Sequence, residues 1–298
     1  MALLVFLAWA GAVSTVEITL GGDVMLARNG EPVVESAAAF GDALPALRQA
    51  DLAMANLESP VAYEPPILSG EYNLCAAAVS IGILYNAGLD VATIANNHAH
   101  DCSPTGDLET QKWLQEQGII GVGGSEPFRI VEVKGQKIAI FAYEDITKTI
   151  DIEKMLREVS DARKSVDFLI VSLHWGMEYQ AGPTARQRVI AQKLADAGVD
   201  VIWGHHPHVL QRMEWLENRD ATHKTLVIYS LGNLISDQSM LQDTQETALV
   251  TLAVRNGALS DVAISPLTAD RFAHQLHAAQ GTDQASIFER LKWNAELP

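Results

Sequence analysis

The sequence predicts an α/β fold with mixed sheets, and three observations support this. Apolar segments rich in β-branched residues alternate with segments whose apolar residues recur at helical spacing. The predicted strands are apolar throughout, which is typical of sheets that are buried on both faces. Asn256-Gly257 is a strong hairpin signal and adds antiparallel strands near the end of the chain. We expect one domain that covers residues 16–298.

The elements are predicted in the following order. Seven segments are predicted strands: VEITLG (16–21), DLAMANL (51–57), DVATIAN (90–96), KIAIFAY (137–143), DFLIVSL (167–173), VDVIW (199–203) and TLVIYSL (225–231). Four are predicted helices: 76–88, which ends at the stop signal Gly88, 105–117, 150–164 and 184–197. The segment after GHHPH (204–208) is interpreted as helix-like. Residues 285–293 have helical spacing and would pack on the domain or on a partner.

The charge balance excludes one class of function. The chain of 298 residues has a formal net charge of −16, and its Lys and Arg residues form no long runs. This field repels a phosphate backbone, so we expect no nucleic-acid partner. Any other polyanion that binds the protein needs local basic groups or bound cations.

The N-terminus is a candidate leader over residues 1–15. Its apolar stretch is about a dozen residues long, which is short for a membrane span and typical of a signal-peptide core. No Lys or Arg precedes the stretch, so a buried N-terminal strand is the alternative. We expect export to the periplasm or the cell surface, with or without membrane association; a cytoplasmic protein is the alternative.

The two cysteines, Cys75 and Cys102, do not form a C-x-x-C motif. Zinc binding through cysteine is therefore not expected. We favour two free thiols, with a disulfide as the alternative if the protein is exported.

Polar side chains follow six of the predicted strands, at the edge where ligands gather in α/β folds. They are Asp23; Asn56 and Glu58; Asn96, Asn97, His98, His100 and Asp101; His174 and Glu178; His205, His206 and His208; and Asn233. Imidazole, carboxylate and amide groups together bind borderline divalent cations. Separate turns have no reason to collect such residues on one edge, so the pattern predicts a metal centre.

The GHHPH run would supply two of the imidazoles. His206 and His208 can face one side of an extended loop, and Pro207 between them restricts the backbone. Gly204 is expected to allow a tight turn at the strand end.

Simpler roles remain open for single residues. Asp23 can cap a turn after two glycines, and Asn96-Asn97 can be turn residues. We expect ordinary surface or hydrogen-bonding roles for His100, His223, His274 and His277.

Six ordered motifs carry a resemblance to a known family. GDVML, NLESP, ANNHAHD, SLHWGMEY, GHHPHVLQ and YSLGNLI, between about Ile18 and about Val254, resemble the CapA-type poly-γ-glutamate capsule biosynthesis proteins. That family looks like a branch of the calcineurin-like metallophosphoesterases. The resemblance implies a four-layer α/β/β/α sandwich with mixed sheets and a centre for one or two divalent metals, Mn, Fe, Zn or Mg.

The resemblance also implies roles for individual residues. Asp23 and His208 would bind the first metal, and Glu58 would bridge the two metals. Asn97, His174 and His206 would bind the second metal, and His98 would contact the substrate. The position of Arg28 after the first motif suggests an anion clamp, with a surface arginine as the alternative. Four residues would support the ligands: His205, Asn96, Glu178 and Asn233.

Two departures from the superfamily pattern concern the first metal position. Its first motif is Asp-x-His, whereas this chain has Asp23-Val24-Met25, and a thioether is a poor ligand for such cations. Glu58 is one methylene longer than the usual aspartate. His205 could compensate as a ligand or could donate a hydrogen bond to one. One metal instead of two is therefore an open alternative.

The function that follows is metal-dependent hydrolysis, first of a phosphoester and second of an amide or ester carbonyl. The alternative is an accessory protein that binds an anionic polymer through its metal without hydrolysis. The expected partners are a phosphoester substrate or an anionic polymer, and a capsule-synthesis membrane complex. A metal-free cluster is disfavoured because dry, unpaired imidazoles and carboxylates are costly to bury.

Overall fold

The computed structural model describes residues 14–66 and 72–293. Most of the predicted leader, residues 1–13, lies outside the described residues. The expectation of one domain over residues 16–298 stays a prediction. Within the described ranges, no helix combines the length and apolar character that a membrane span requires.

Strands and helices alternate along most of the chain. The strands are β1 (Val16–Val24), β2 (Ala27–Arg28), β3 (Glu31–Pro32), β4 (Leu52–Leu57), β5 (Val61–Ala62), β6 (Ala76–Ala77), β7 (Val91–Thr93), β8 (Ile120–Val122), β9 (Phe128–Val133), β10 (Gln136–Glu144), β11 (Phe168–His174), β12 (Val201–His205), β13 (Leu210–Glu217), β14 (Lys224–Leu231), β15 (Asn233–Ile235), β16 (Glu246–Arg255), β17 (Ala258–Ala269) and β18 (Leu276–Ala278). The α-helices are α1 (Leu44–Gln49), α2 (Ile81–Ala87), α3 (Gly106–Glu116), α4 (Ile152–Arg163), α5 (Ala185–Asp196) and α6 (Gly281–Leu291). Short 3-10 helices cover Ala37–Ala43, Ala78–Ser80 and Gln242–Gln245.

Two mixed sheets form the centre of the fold. The first has the order β18-β17-β16-β1-β4-β7-β8, with β15 paired to β1, and the second has the order β13-β14-β12-β11-β10-β9. In the first sheet, β1 is antiparallel to β16 and parallel to β4. In the second, β10, β11, β12 and β14 run parallel, and β9 and β13 are antiparallel at the edges.

Alternating side chains on the strands build a core on each face of both sheets. On β11, Phe168 and Ile170 enter the core between the sheets, whereas Leu169 and Val171 face outward. Helices α1, α2 and α3 cover the outer face of the first sheet, and α4 and α5 cover that of the second. The predicted four-layer α/β/β/α sandwich with mixed sheets is confirmed, because each sheet is buried on both faces.

Local signals end these elements as the sequence indicates. Thr184 and Gln187 form a capping box at the start of α5, and Gly88 ends α2 in the left-handed conformation, φ 93°. Asn256 and Gly257, at φ 55° and 69°, form the turn between β16 and β17. The predicted hairpin is therefore confirmed.

Two expectations are wrong. The segment after GHHPH is strand β13, because its residues from Leu210 to Glu217 pair antiparallel with β14 and thereby complete the edge of the second sheet. Cys75 and Cys102 are joined by a disulfide, with a Cα–Cα distance of 4.9 Å, and are not free thiols. Their separation of 27 residues is closed by the packing of two loops, which local sequence does not reveal.

Candidate metal centre

The carboxyl ends of the parallel strands in the two sheets meet at one place. In the first sheet, β1 and β4 run parallel with Asp23 opposite Asn56. In the second sheet, β11 and β12 run parallel with His174 opposite His205. This parallel register places the carboxylates of the first sheet beside the imidazoles of the second.

Three overlapping groups of side chains could each hold a metal ion. Within a group, the candidate ligand atoms all lie within 4.8 Å of one another. The groups are Glu58, His174 and His206; Asp23, Glu58 and His208; and Glu178, His206 and His208. Glu58 is common to the first two groups, so its carboxylate lies between two adjacent candidate cation positions. This is the bridging position that the family resemblance implies for it.

The hydrogen bonding of the cluster fits a bound cation. Both carboxylate oxygens of Glu58, Nε2 of His205 and Nδ1 of His206 are buried without a hydrogen-bond partner. Buried polar atoms are normally satisfied, and an unpaired buried carboxylate is especially costly. Divalent cations would satisfy the oxygens of Glu58 and the nitrogen of His206, so the residues present fit the metal that the fold family implies.

Asp23 is fully buried and ionised. Its carboxylate accepts hydrogen bonds from Asn56 Nδ2 at 2.8 Å and from the His206 backbone N–H at 3.1 Å, and it lies 3.0 Å from His205 Nδ1. Burial raises the pKa of Asp23, but hydrogen bonds from His205 and His208 outweigh burial and hold this pKa well below its ordinary value. Asp23 therefore offers a negative charge to the first metal position.

Glu58 and His208 form a buried pair, and the pKa of each residue lies above its ordinary value. Burial raises the pKa of Glu58 to about 7, although the charge of His208 opposes the rise. Burial lowers the pKa of His208, but Glu58 and Asp23 outweigh it and raise this pKa to about 9. The 3.7 Å between His208 Nε2 and Glu58 Oε1 accounts for this mutual effect.

His174 and His206 are held neutral, the form of imidazole that binds metals. Burial, with the electrostatic repulsion that two protonated rings at His174 and His206 would feel, keeps the pKa of His174 well below its ordinary value. Burial, with the charge of His208, lowers the pKa of His206 to about 4. His174 Nε2 lies 2.7 Å from Asn97 Oδ1, so the amide oxygen of Asn97 faces the second metal position.

The loop that carries the imidazoles of His206 and His208 has a strained backbone. His206 and His208 have φ of 92° and 58°, in the left-handed region that residues other than glycine rarely adopt. Such strain persists where the surrounding structure fixes the backbone, and it clusters at functional sites. Gly204 serves close packing and not the expected turn: a Cβ there would lie 2.0 Å from the Tyr229 carbonyl oxygen.

His98 lies at the rim of the cluster, half-buried. Its Nδ1 is 2.8 Å from Asp101 Oδ2, and its Nε2 is 3.9 Å from Glu58 Oε1. Burial lowers the pKa of His98, but the hydrogen bond to Asp101 and the charge of Glu58 outweigh it and raise this pKa. Asp101 Oδ2 also accepts the Leu74 backbone N–H at 2.8 Å, which fixes the carboxylate.

Arg28 reaches the site but is already paired. Its Nε lies 2.8 Å from both carboxylate oxygens of Asp237, and its Nη2 lies 3.2 Å from Met25 Sδ. Asp237 neutralises much of the charge that an anion clamp would use. Met25 is buried, and its sulfur also contacts the Ser236 hydroxyl at 3.4 Å.

The expected supporting residues all lie beside the cluster. Asn96 donates to the Leu57 carbonyl at 2.9 Å and accepts the His98 backbone N–H at 3.1 Å. Asn233 Oδ1 lies 3.0 Å from His208 Nδ1. His205 contacts Asp23, and Glu178 belongs to the third ligand group. The four histidines expected to be ordinary are in none of the three groups: His100, His223, His274 and His277.

Two residues near the candidate centre make contacts that the sequence did not predict. Asn56 is buried between Asp23, 2.8 Å away, and His174 Nδ1, 3.4 Å away. Asp101 orients His98. Both lie in the runs that follow predicted strands, so their positions were visible, but their partners come from distant segments.

Comparisons with known proteins identify the family of the chain. A family model described as bacterial capsule synthesis protein PGA_cap matches residues 17–238. The PGA biosynthesis protein CapA of Bacillus subtilis (strain 168) is 30% identical, covering 87% of this chain and 76% of that protein. The capsule biosynthesis protein CapA of Bacillus anthracis is 29% identical, covering 84% of this chain and 66% of that protein.

Solved structures show the same fold at low sequence identity. A phosphatase from Mycoplasma pneumoniae has a TM-score of 0.58 at 12% identity, covering 88% of this chain and 96% of that one. A 5'-nucleotidase precursor from Thermus thermophilus has a TM-score of 0.54 at 14% identity, covering 93% of this chain and 59% of that one. The fold is therefore that of the calcineurin-like metallophosphoesterases, and the chain belongs to the bacterial capsule synthesis protein PGA_cap family.

Proposed function

We propose that this protein is a metal-dependent phosphoester hydrolase that acts in capsule biosynthesis. One observation carries the proposal: two candidate ligand groups share the buried Glu58 carboxylate, and neither of its oxygens has a hydrogen-bond partner. A carboxylate in that position, with aspartate on one side and neutral imidazoles on the other, suits a pair of adjacent divalent cations.

The residues divide between two cation positions. Asp23, Glu58 and His208 would hold one ion, and Glu58, His174, His206 and Asn97 would hold the other. Divalent ions of this kind polarise a phosphoryl oxygen and make water a nucleophile at neutral pH. Mn, Fe, Zn and Mg all suit this set of nitrogen and oxygen ligands.

His98 would act on the leaving group. As a new P–O bond forms to the water oxygen, the ester P–O bond breaks and the departing oxygen needs a proton. His98 Nδ1 is engaged by Asp101 at 2.8 Å, which leaves Nε2 on the side of Glu58 and the cluster. The raised pKa of His98 supports a protonated ring that can donate from Nε2.

Export from the cytoplasm is part of the proposal. The Cys75–Cys102 disulfide supports it, because structural disulfides persist in oxidising compartments. The names of the two CapA relatives place those proteins in capsule or PGA biosynthesis.

A second candidate function is an accessory protein that binds an anionic polymer through its metal. Two observations favour it: Met25 stands where the superfamily has a histidine ligand, and Arg28 is paired with Asp237. Both features remove a group that would assist catalysis, but the candidate cation ligands remain. A partner complex at the membrane belongs to this second proposal.

Metal analysis and turnover of the purified protein separate the two functions. For the hydrolase, we expect bound divalent metal and metal-dependent hydrolysis of model phosphomonoesters or phosphodiesters, lost on chelation. Stoichiometric metal with poly-γ-glutamate binding and no hydrolysis would instead support the accessory protein. Protein that stays metal-free in excess Mn, Fe, Zn and Mg would contradict both.

A further inference from the structure

Two connected cavities lead away from the metal centre. The inner one, of about 410 Å³, is lined by His98, His208 and Glu178 of the centre. The outer one, of about 340 Å³, is lined by Asp237, Met240, Leu241 and Thr244. Both share Arg28, Tyr72, Tyr179 and Gln238, so they form one continuous groove. Each volume is in the range of small-molecule sites, roughly 300–1,000 Å³.

The walls of the outer cavity are mainly apolar and aromatic. Tyr72 and Met240 are 79% and 91% exposed, and Tyr179 and Leu241 are 45% and 46% exposed. Large apolar side chains grouped at the mouth of a polar site are a common feature of binding sites. The Arg28 guanidinium lies 5.5 Å from the centre of the Tyr72 ring and helps to hold it.

Tyr179 is hydrogen-bonded to the loop that carries His206 and His208. It has φ 60°, a costly conformation for a bulky residue, and its backbone N–H donates to the Pro207 carbonyl at 2.8 Å. Its ring centre is 6.1 Å from that of His208. Its hydroxyl accepts from Gln238 Nε2 at 3.4 Å, and Gln238 Oε1 accepts from Asn233, the partner of His208. Tyr179 therefore has a fixed position relative to the candidate metal ligands.

The charges of the groove disfavour a polyanion. Among the described residues that line the two cavities, Arg28 is the only Lys or Arg, and Asp237 engages it through both carboxylate oxygens. Asp237 and Glu178 add negative charge to the walls. A chain of carboxylates placed in the outer cavity would meet Asp237 and, among its described lining residues, no Lys or Arg other than Arg28, which Asp237 already engages.

We propose that the outer cavity is a subsite for a planar, uncharged ring on the leaving group of the substrate, held between Tyr72 and Tyr179. This inference rests on the proposed phosphoester hydrolysis, and it narrows the substrate class to aryl and heteroaryl phosphoesters. Ring-on-ring packing at this site would select such esters over small alkyl esters and over polyanions.

Binding of phosphonates to the metal-loaded protein tests the subsite without turnover. We compare phenylphosphonate, methylphosphonate and hexylphosphonate by calorimetry, and phenyl phosphate with methyl phosphate by kcat/KM. We expect phenylphosphonate to bind about tenfold more tightly than methylphosphonate, from the buried area and packing of the ring. Tyr72→Ala and Tyr179→Gly should each lower this preference about two- to tenfold, whereas Tyr179→Phe should keep it.

Controls make the result specific. Glycine suits the left-handed backbone at residue 179, so Tyr179→Gly removes the ring without added strain. Tyr85→Ala is the matched control, because Tyr85 is an exposed tyrosine on α2 that lines neither cavity. It should leave the phenyl preference unchanged.

The outcomes separate this inference from the proposed function. Equal binding of phenyl and methyl compounds, tighter binding of the hexyl compound than of the phenyl compound, or a full phenyl preference in both tyrosine variants would overturn the subsite. Hydrolysis without any phenyl preference would leave the hydrolase and remove the subsite. A phenyl preference that needs both tyrosines, without hydrolysis of any ester, would keep the subsite and remove the hydrolase.

Discussion

The two sheets contribute different chemistry to the same centre. The strands β1 and β4 of the first sheet end in Asp23 and Glu58, whereas β11 and β12 of the second lead into His174, His206 and His208. Asp23 lies within β1 and Glu58 directly follows β4, but two of the imidazoles lie on a strained loop. The first sheet thus supplies carboxylates, and the second supplies imidazoles, of which burial keeps the pKa of His174 and His206 low.

Loss of the shared carboxylate should have the largest effect. Glu58→Ala removes a ligand from both groups that contain Glu58, so we expect metal content to fall to background. His174→Ala, on the imidazole side, leaves Asp23, Glu58 and His208 in place and should retain one ion. Elemental analysis of the purified variants gives both values. Equal metal loss in the two variants would contradict the bridging role of Glu58.

Removal of the proposed acid should reduce turnover without removing metal. For His98→Ala we expect kcat to fall by about 10²- to 10⁴-fold, the usual contribution of a positioned acid or base. Asp101→Asn should reduce kcat less, because it misorients His98 but keeps the ring. Metal content should match the wild-type protein in both variants. Unchanged kcat in His98→Ala would exclude it from the reaction.

A single substitution tests whether the missing imidazole limits metal affinity at the first candidate position. Met25→His restores the Asp-x-His pattern of the superfamily beside Asp23. If the missing imidazole limits this position, the variant should bind metal there more tightly, by about 10- to 100-fold. Competition with a chelator measures the affinity, and Met25→Leu is the control of similar size. Equal affinities in the two variants would show that the thioether is not what limits the position.

The disulfide should have the smallest effect on the centre and a clear effect on stability. Cys75 and Cys102 close a loop of 27 residues, so Cys102→Ser with Cys75→Ser should lower the free energy of unfolding by about 3 kcal/mol. Denaturant unfolding measures the change. We expect metal content to persist, because no ligand group contains either cysteine. An unchanged midpoint would show that packing alone holds these loops.

Local patterns predicted much of the fold. The seven predicted strands match β1, β4, β7, β10, β11, β12 and β14, and three of the predicted helices match α3, α4 and α5 within two residues. The predicted helix 76–88 contains α2, but its first two residues form strand β6. Strand β9 and helix α1 were not predicted. Strand β13 was misread because its alternation is imperfect, with Leu210 and Gln211 both buried, and only pairing with β14 fixes its conformation.

The sequence predicted the residues of the candidate site better than it predicted the contacts between them. Asp23, Glu58 and His208 were expected together from the family resemblance, and the structure brings them within one group. The pairing of Arg28 with Asp237 was not predicted, because 209 residues separate them. Interactions at such separations depend on how the two sheets pack, and no local pattern encodes that packing.

The sequence by itself determined which chemical groups stand at the strand ends, because strand periodicity and the residues that follow each strand are local properties of the chain. Only the tertiary structure decided which of these groups share a centre, that Glu58 belongs to two candidate ligand groups, and that Tyr179 lines the same groove as Tyr72. The physical reason is that parallel register within each sheet, and the packing of one sheet on the other, fix distances between atoms that are remote along the chain.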